Sequence, residues 1–456
     1  MDLAFANGSP RRLSDVIASG AVWSPDARQL AFTRNSDIYL ANPDGAKARK
    51  LVTVNGFPND PHFSPDGKRV RFTLKNMPAN TYSLWEVGTD GGNLHPVLPG
   101  WRDPPSECCG VWSTDGRSYF FVRNEIHGSN LWVLREPTGI FERQASGPFQ
   151  LTTGPMSIAF LVSSPDGRKL YADGYAPRGE LVSYDGKSHE FLPFLSGISA
   201  GELDFSRDGK WVAYVSYPEG TIWRSHLDGS DRLQLTYPPV SAGTPRWSPD
   251  GREIIYIDAQ PGRPIKMFMI SAEGGTPEEL LSENQTQLSG NWSPDGKQII
   301  FGRVPWLRTG SEKLDIQVLD LASKKTSRIP GSDELWQPMW SPDGKRLAAT
   351  SADSRKLLLF DFKTQQWEDW IGNEKSLFVY ITWSADGTYL YFDDFATATY
   401  RRVRLGQSHS ELVADLKGLH RYIGFGAWSG ITPDGRPLFV RDVSSDEIYA
   451  LDVDLP

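Results

Sequence analysis

A chain of 456 residues is too long for one ordinary single-core domain, so it consists either of several domains or of an array of small repeating units. A formal net charge of −8 argues against a broad phosphate-binding surface, and no run of about 18 apolar residues exists to form a spanning helix. With 43 glycines, 33 prolines and 12% aromatics, the composition suits many short strands joined by tight turns.

The chain opens with MDLAFANGSPRRL, which lacks the order and length of a secretory signal. A cytoplasmic location is therefore expected for the chain as written, and a periplasmic one if it is part of a longer membrane-anchored protein. MDLAFANG reads as the third strand and Asn-Gly hairpin of a blade lacking its first half. A repeat then begins. WSPDA at Trp23 is followed by FSPDG at Phe63, WSTDG at Trp112, SSPDG at Ser163 and FSRDG at Phe205. WSPDG recurs at Trp247, Trp292 and Trp340, and WSADG at Trp383 and ITPDG at Ile431 complete ten copies. Their aspartates, Asp26, Asp66, Asp115, Asp166, Asp208, Asp250, Asp295, Asp343, Asp386 and Asp434, stand 40 to 51 residues apart. Such a spacing signals a propeller or solenoid.

One unit shows the layout. Strands are predicted at Glu202 to Phe205, Trp211 to Ser216, Thr221 to Leu227 and Arg232 to Thr236, a four-stranded antiparallel meander. No segment holds a 3.6-residue apolar period, so helix is nearly absent. The pentapeptide lies between first and second strands, where proline presets φ, the aspartate accepts backbone amides and glycine takes positive φ. All ten aspartates are accordingly read as turn residues. The aromatic before each turn is expected to fill the space against the neighbouring sheet.

The fold class expected is all-β, a β-propeller of about ten four-stranded blades. Ten blades exceed the usual four to eight of one ring, so the array is divided. Residues 1–148 are expected to form a partial propeller of about three blades, and residues 149–456 a complete seven-bladed one. Glu447 to Val453 ends the last unit at its third strand; Phe149 to Thr153 would supply the fourth, whereas Pro10 to Ser14 would close all ten units. Arg135 to Pro148 is the linker. The incomplete first part exposes apolar surface and is expected to associate or to be unstable.

A search for chemistry yields little. Adjacent Cys108 and Cys109 have no metal-ligand spacing and are read as two unpaired thiols in preference to a strained vicinal disulfide. Gly197-Ile198-Ser199-Ala200-Gly201 matches G-x-S-x-G, but a strand follows where a nucleophile elbow needs a helix. Gly186-Lys187-Ser188 lacks the glycine a phosphate loop requires at position 181. Seven histidines are scattered. Asp393-Asp394 and Glu278-Glu279 are read as solvated carboxylates beside turns, and Tyr400 to Arg404 as a solvated strand face. No catalytic residue, cofactor or metal is expected.

Function is expected on the face carrying second-to-third and between-blade loops, because those loops vary: Gly100 to Gly110, Asp258 to Lys266, Gly302 to Lys313 and Asp393 to Tyr400. On it Trp101, Trp306 and Trp336, with Arg102 and Arg308, are candidate anchors for a protein, peptide or glycan; the alternative is that the tryptophans cap blade cores.

W-S-P-D-G followed by an alternating apolar strand resembles the WD-like propeller repeat of the TolB type over essentially the whole chain. LHPVLPGWRDPPSECCGVWS, LSGISAGELDFSRDGKWVAYVSYPEGTIWRS and RDVSSDEIYALDVDLP further resemble the carboxy-terminal propeller halves of bacterial winged-helix or kinase-linked regulators. That likeness implies a non-enzymatic sensory or protein-interaction module whose upstream effector domain is absent from this chain. It implies no nucleic-acid binding by this chain itself. The alternatives are a TolB-like periplasmic envelope component and an accessory propeller of a peptidase or hydrolase.

Overall fold

The protein is described by a computed structural model over residues 18–125, 128–136, 147–154, 156–282, 285–305, 314–422 and 426–452. Those residues form ten antiparallel sheets, nine of them four-stranded, as the repeat requires. In the unit spelled out above, strands run Ala200–Phe205, Trp211–Ser216, Thr221–His226 and Leu233–Gln234, in meander order. We number the sheets as blades: blade 1 (20–53), blade 2 (57–96), blade 3 (107–150), blade 4 (157–176 with Ser445–Asp452), blade 5 (179–193 with 429–442), blade 6 (200–234), blade 7 (242–279), blade 8 (288–328), blade 9 (335–372) and blade 10 (378–415).

The chain divides into two compact units, one of Met1–Asn76, Thr81–Gly174 and Glu447–Pro456, the other of Met77–Asn80 and Tyr175–Asp446. The second is a closed ring of blades 5 to 10. Each first strand abuts the first strand of the next blade, and Phe378–Trp383 of blade 10 meets Ser429–Ile431 of blade 5. The first unit holds blades 1 to 4, packed in sequence.

This partition corrects the expected boundary at 148/149. Phe149–Gln150 is the outer strand of blade 3, paired through Trp132↔Gln150 and Val133↔Phe149, so it closes no ring. Closure is made instead by Gly179–Asp185, whose Gly179 to Ser183 pair with Asp442 to Leu438. Ser445–Asp452 leaves that ring and pairs in blade 4 beside Lys169–Ala176. The ring therefore has six blades. Periodicity could not show this, because any free strand of the right length satisfies the pattern, and the entropy of closing a loop grows only slowly with its length. Pro10 to Ser14 lies outside the described residues.

Nine of the ten repeat turns are built alike, and the tenth, at Asp434, is one residue shorter, with the Arg436 amide donating to Thr432 Oγ1 at 2.9 Å. In blade 7 the Ser248 hydroxyl donates to Asp250 Oδ1 at 2.6 Å, the Arg252 amide donates to the same oxygen at 3.1 Å, and the Glu253 amide donates to Ser248 Oγ at 2.9 Å. Gly251 takes φ 72°, in the left-handed region where glycine has no steric penalty. The serine is buried and the aspartate exposed, so the pentapeptide knits the end of one strand to the start of the next.

Candidate functional site

The ten repeat aspartates sit one per blade in these turns, each accepting from its own Ser or Thr two residues earlier. The serine hydroxyl and then the following amide hold Asp26, Asp250 and Asp295 below the usual carboxylate range, and the same donors take Asp386 to about 2. A carboxylate committed to two local donors is a turn element.

The aromatic before the turn does the work between blades. Trp292 Nε1 donates to the Arg246 carbonyl of the preceding blade at 3.1 Å, and Trp383 Nε1 to that of Met339 at 3.2 Å. Blade to blade, amides are also claimed by side chains: Trp247 N donates to Asp204 Oδ2 at 2.7 Å, and Trp340 N to Asn291 Oδ1 at 3.4 Å.

The first strand of blades 6 to 10 carries one further shared feature, which sequence reading missed. A bulge breaks its register, and the residue within it adopts positive φ: Glu202 (53°), Thr244 (46°), Ser289 (56°), Gln337 (53°) and Tyr380 (51°). None is glycine, and Thr244 is β-branched, so each conformation costs on the order of 1–2 kcal/mol that surrounding packing must offset. A signal was available in hindsight. These residues all stand three positions before the aromatic of their repeat. The bulges lie near the strand starts, hence at the loop-bearing end of the ring.

Around them the charge is buried. Glu202 Oε2 accepts the Thr244 amide at 2.5 Å, and burial raises its carboxyl above the usual range despite that bond. Asp393 ion-pairs with Arg421 at 2.7 Å; burial pushes its carboxyl up to about 6 against the pull of that guanidinium. Arg421 also donates to the Ala427 carbonyl and lies 5.2 Å over the Phe395 ring. Tyr380 is raised by burial and by the charge of Glu202, and a side chain at Gly426 would collide with its hydroxyl. The reading of Asp393-Asp394 as solvated carboxylates is thereby corrected. Both are buried, and Asp394 accepts Ser376 Oγ at 2.8 Å and the Leu377 amide at 3.0 Å. Alternation along the strand did not reveal this, because the partners Ser376, Leu377 and Arg421 come from segments outside the strand. Glu278 and Glu279 are exposed and pair with Lys324 and Lys266.

Burial also pushes Asp204 up to about 6, with Arg246 drawing it the other way. Between about pH 4 and 6 the folded state then binds more protons here than the unfolded state, so stability falls as pH rises through that window. Asp204→Asn keeps an oxygen for the Trp247 amide and removes the titration. Urea unfolding at pH 4.5 and 7 is expected to show the variant gaining on the parent by about 2–3 kcal/mol as pH rises, whereas parallel profiles would exclude a buried titrating Asp204.

Of the anchors chosen from sequence, Trp101 and Arg102 belong to the first unit and Trp336 to the second. Trp336 is only 3% exposed, its indole donating to the Ser351 carbonyl at 2.9 Å beneath Leu288 and Val304, so it caps a blade core and presents no surface. Trp101 packs edge-on against Trp132 at 4.9 Å and Phe121 at 5.8 Å, with the Arg102 guanidinium 5.5 Å above it, in the first unit. Trp306 and Arg308 lie outside the described residues. The expectation of two unpaired thiols is also corrected: Cys108 and Cys109 are joined as a vicinal disulfide. Cys109 occupies the bulge of its strand at φ 57°, which breaks the alternation that would send consecutive side chains to opposite faces.

What the loop-bearing face of the ring does offer is a cavity of about 290 Å³, lined by Arg178, Gly179, Glu180, Gly197, Ile198, Ser199 and Val443. It lies where the turn into blade 5 and the crossover into blade 6 meet. Ser199, from the G-x-S-x-G match, accepts the Gly179 amide at 3.1 Å and is followed by the strand Ala200–Phe205. Glu180 pairs with Arg441 at 3.1 Å, while Arg178 and Val443 are exposed at the rim. Among the described residues, no group of three or more His, Cys, Asp or Glu side chains is placed to hold a metal ion, and no helix is long and apolar enough to cross a membrane.

No protein-family model matches this chain. Tricorn protease homolog 1 of Streptomyces coelicolor is 29% identical over 248 residues, covering 52% of this chain and 22% of that protein. A TolB homolog of Chlorobium luteolum is 33% identical over 94 residues, covering 19% of this chain and 22% of its own length. The solved structure of a putative TolB from Agrobacterium tumefaciens aligns with a TM-score of 0.47 and 18% identity, over 59% of this chain and 99% of that one. The chain thus spans about a fifth of the length of these two curated relatives. The expected link to winged-helix or kinase-linked regulators gains no support from these matches. What the sheets and their blade-to-blade packing show is an all-β fold of propeller blades.

Proposed function

We propose that the chain is a non-enzymatic recognition propeller, whose six-bladed ring binds a short polypeptide segment on its loop-bearing face. The observation that carries this is the cavity under Arg178 and Val443. It is concave, mixed in polarity and large enough for one or two side chains, and it lies on the face where irregular loops are held by a rigid ring. The Ser199 hydroxyl beside it is engaged by a backbone amide. Panning a displayed random-peptide library against the purified chain is expected to enrich binders whose affinity drops at least about tenfold with Arg178→Glu or Val443→Trp. Binders indifferent to both substitutions, or no enrichment, would remove the proposal.

A second reading has its own support. Tricorn protease homolog 1 is named a protease, and its match to about half of this chain favours an accessory propeller that selects segments for a separate peptidase. Both readings predict no turnover of chromogenic peptide substrates by this chain alone. The sensory placement in a bacterial regulator rests on the sequence resemblance only.

A further inference from the structure

In six of the blade pairs one blade covers its neighbour through a recurring contact: the residue five positions after the repeat aspartate shares a core or a ring contact with the repeat aromatic of the next blade. Ala213 packs in one core with Trp247, Ile255 with Trp292, Ile300 with Trp340, and Ala348 with Trp383. In the four-bladed unit Ala31 packs with Phe63, and the Arg71 guanidinium lies 4.2 Å over the Trp112 ring.

Two members of this series have no counterpart among the described residues. Trp23, on the outward face of blade 1, is 50% exposed, although Phe63, Trp112, Trp247, Trp292, Trp340 and Trp383 are all buried. Tyr171, on the outward face of blade 4, is 39% exposed, although Ile255 and Ile300 at the same repeat position are buried. Tyr171 has company. Phe160 (71%), Val162 (61%) and Ile448 (81%) are also exposed on blade 4, and its other side, with Ile158, Leu161, Leu170 and Ala172, is the one packed against blade 3. Val162 occupies the repeat position from which Asp204 and Asn291 reach the aromatic residue of the next blade.

The geometry points to a second copy of this chain as what covers both faces: blade 1 of each copy seats on blade 4 of the other, Trp23 over Tyr171, and two four-bladed arcs close into one eight-bladed ring. The occupant is fixed by the repeat itself. On blades 1, 2, 6, 7, 8 and 9 a face of this kind is covered by the repeat aromatic of the next blade, and the one such aromatic face left uncovered among the described residues is that of blade 1. Eight blades fall within the range in which propellers close. A twofold axis lets both open faces of both copies be used, so assembly stops at two. Exposed apolar patches of this extent on one sheet face otherwise mark a liability.

Light scattering on size-exclusion fractions of the full chain is expected to give twice the 50.9 kDa chain mass. Trp23→Glu and Tyr171→Glu, both at exposed positions, are each expected to raise the dimer dissociation constant by about thirtyfold or more, with circular dichroism and melting of the monomer unchanged. The decisive arm is mixing. One Trp23→Glu copy and one Tyr171→Glu copy still build one intact Trp23–Tyr171 contact, so the mixture is expected to regain dimer that neither variant forms alone. A monomeric parent chain, assembly beyond two copies, a dimer insensitive to Trp23→Glu, or no recovery on mixing would each overturn the inference.

Discussion

Replacing Trp292 by alanine is expected to lower the unfolding free energy of the six-bladed ring by about 3–5 kcal/mol, the usual result of deleting a buried tryptophan. Three losses add. The indole leaves a cavity over Ile255, Ile299 and Leu319, its Nε1 no longer donates to the Arg246 carbonyl, and two blades lose the side chain that joins them. Trp292→Phe refills most of the volume and gives up the hydrogen bond, so a loss of about 1–2 kcal/mol is expected. Urea unfolding followed by circular dichroism measures both. A loss below about 1 kcal/mol for the alanine variant would show that the repeat aromatic does not hold neighbouring blades together.

The second large effect concerns the Asp393–Arg421 pair. Arg421→Leu keeps much of the packing against Phe395 and Phe439 but leaves a buried carboxylate without its cation, which typically costs 3–5 kcal/mol, ~4 at neutral pH. The sign with pH follows from chemistry. The Asp393 carboxyl, already lifted to about 6 by burial, rises further once the guanidinium is gone, so protonation relieves the charge as pH falls. The variant is therefore expected to lose most at pH 7.5 and distinctly less at pH 5, in paired denaturation curves. Equal losses at both pH values would mean that the arginine contributes through packing alone.

Local chemistry was legible in the residues. Ser-Pro-Asp-Gly specifies its turn because proline, a hydrogen-bonding aspartate and a glycine at positive φ all act within five positions, and the alternation of Trp211 to Ser216 specifies a strand for the same local reason. Fold class, blade composition and the aromatic's place between sheets follow from such short-range rules repeated ten times. What acts at long range was not legible. Whether Gly179–Asp185 or Phe149–Gln150 closes a ring depends on which free strand finds an unpaired edge, and both carry suitable patterns. The buried state of Asp393 goes with Arg421, and that of the Glu202 carboxylate with the Thr244 amide of the next blade. Trp336 shows the same limit for the site. Its sequence context suits an exposed anchor as well as a core cap, and only the neighbours Leu288 and Val304, brought beside it by the ring, decide that it is buried. The sequence by itself determined each blade, because turns and strands are set by nearest neighbours. The tertiary structure alone decided how many blades close together and which polar groups lose their water, because those depend on contacts outside any local window, from Asp393 with Arg421 to Gly179 with Asp442.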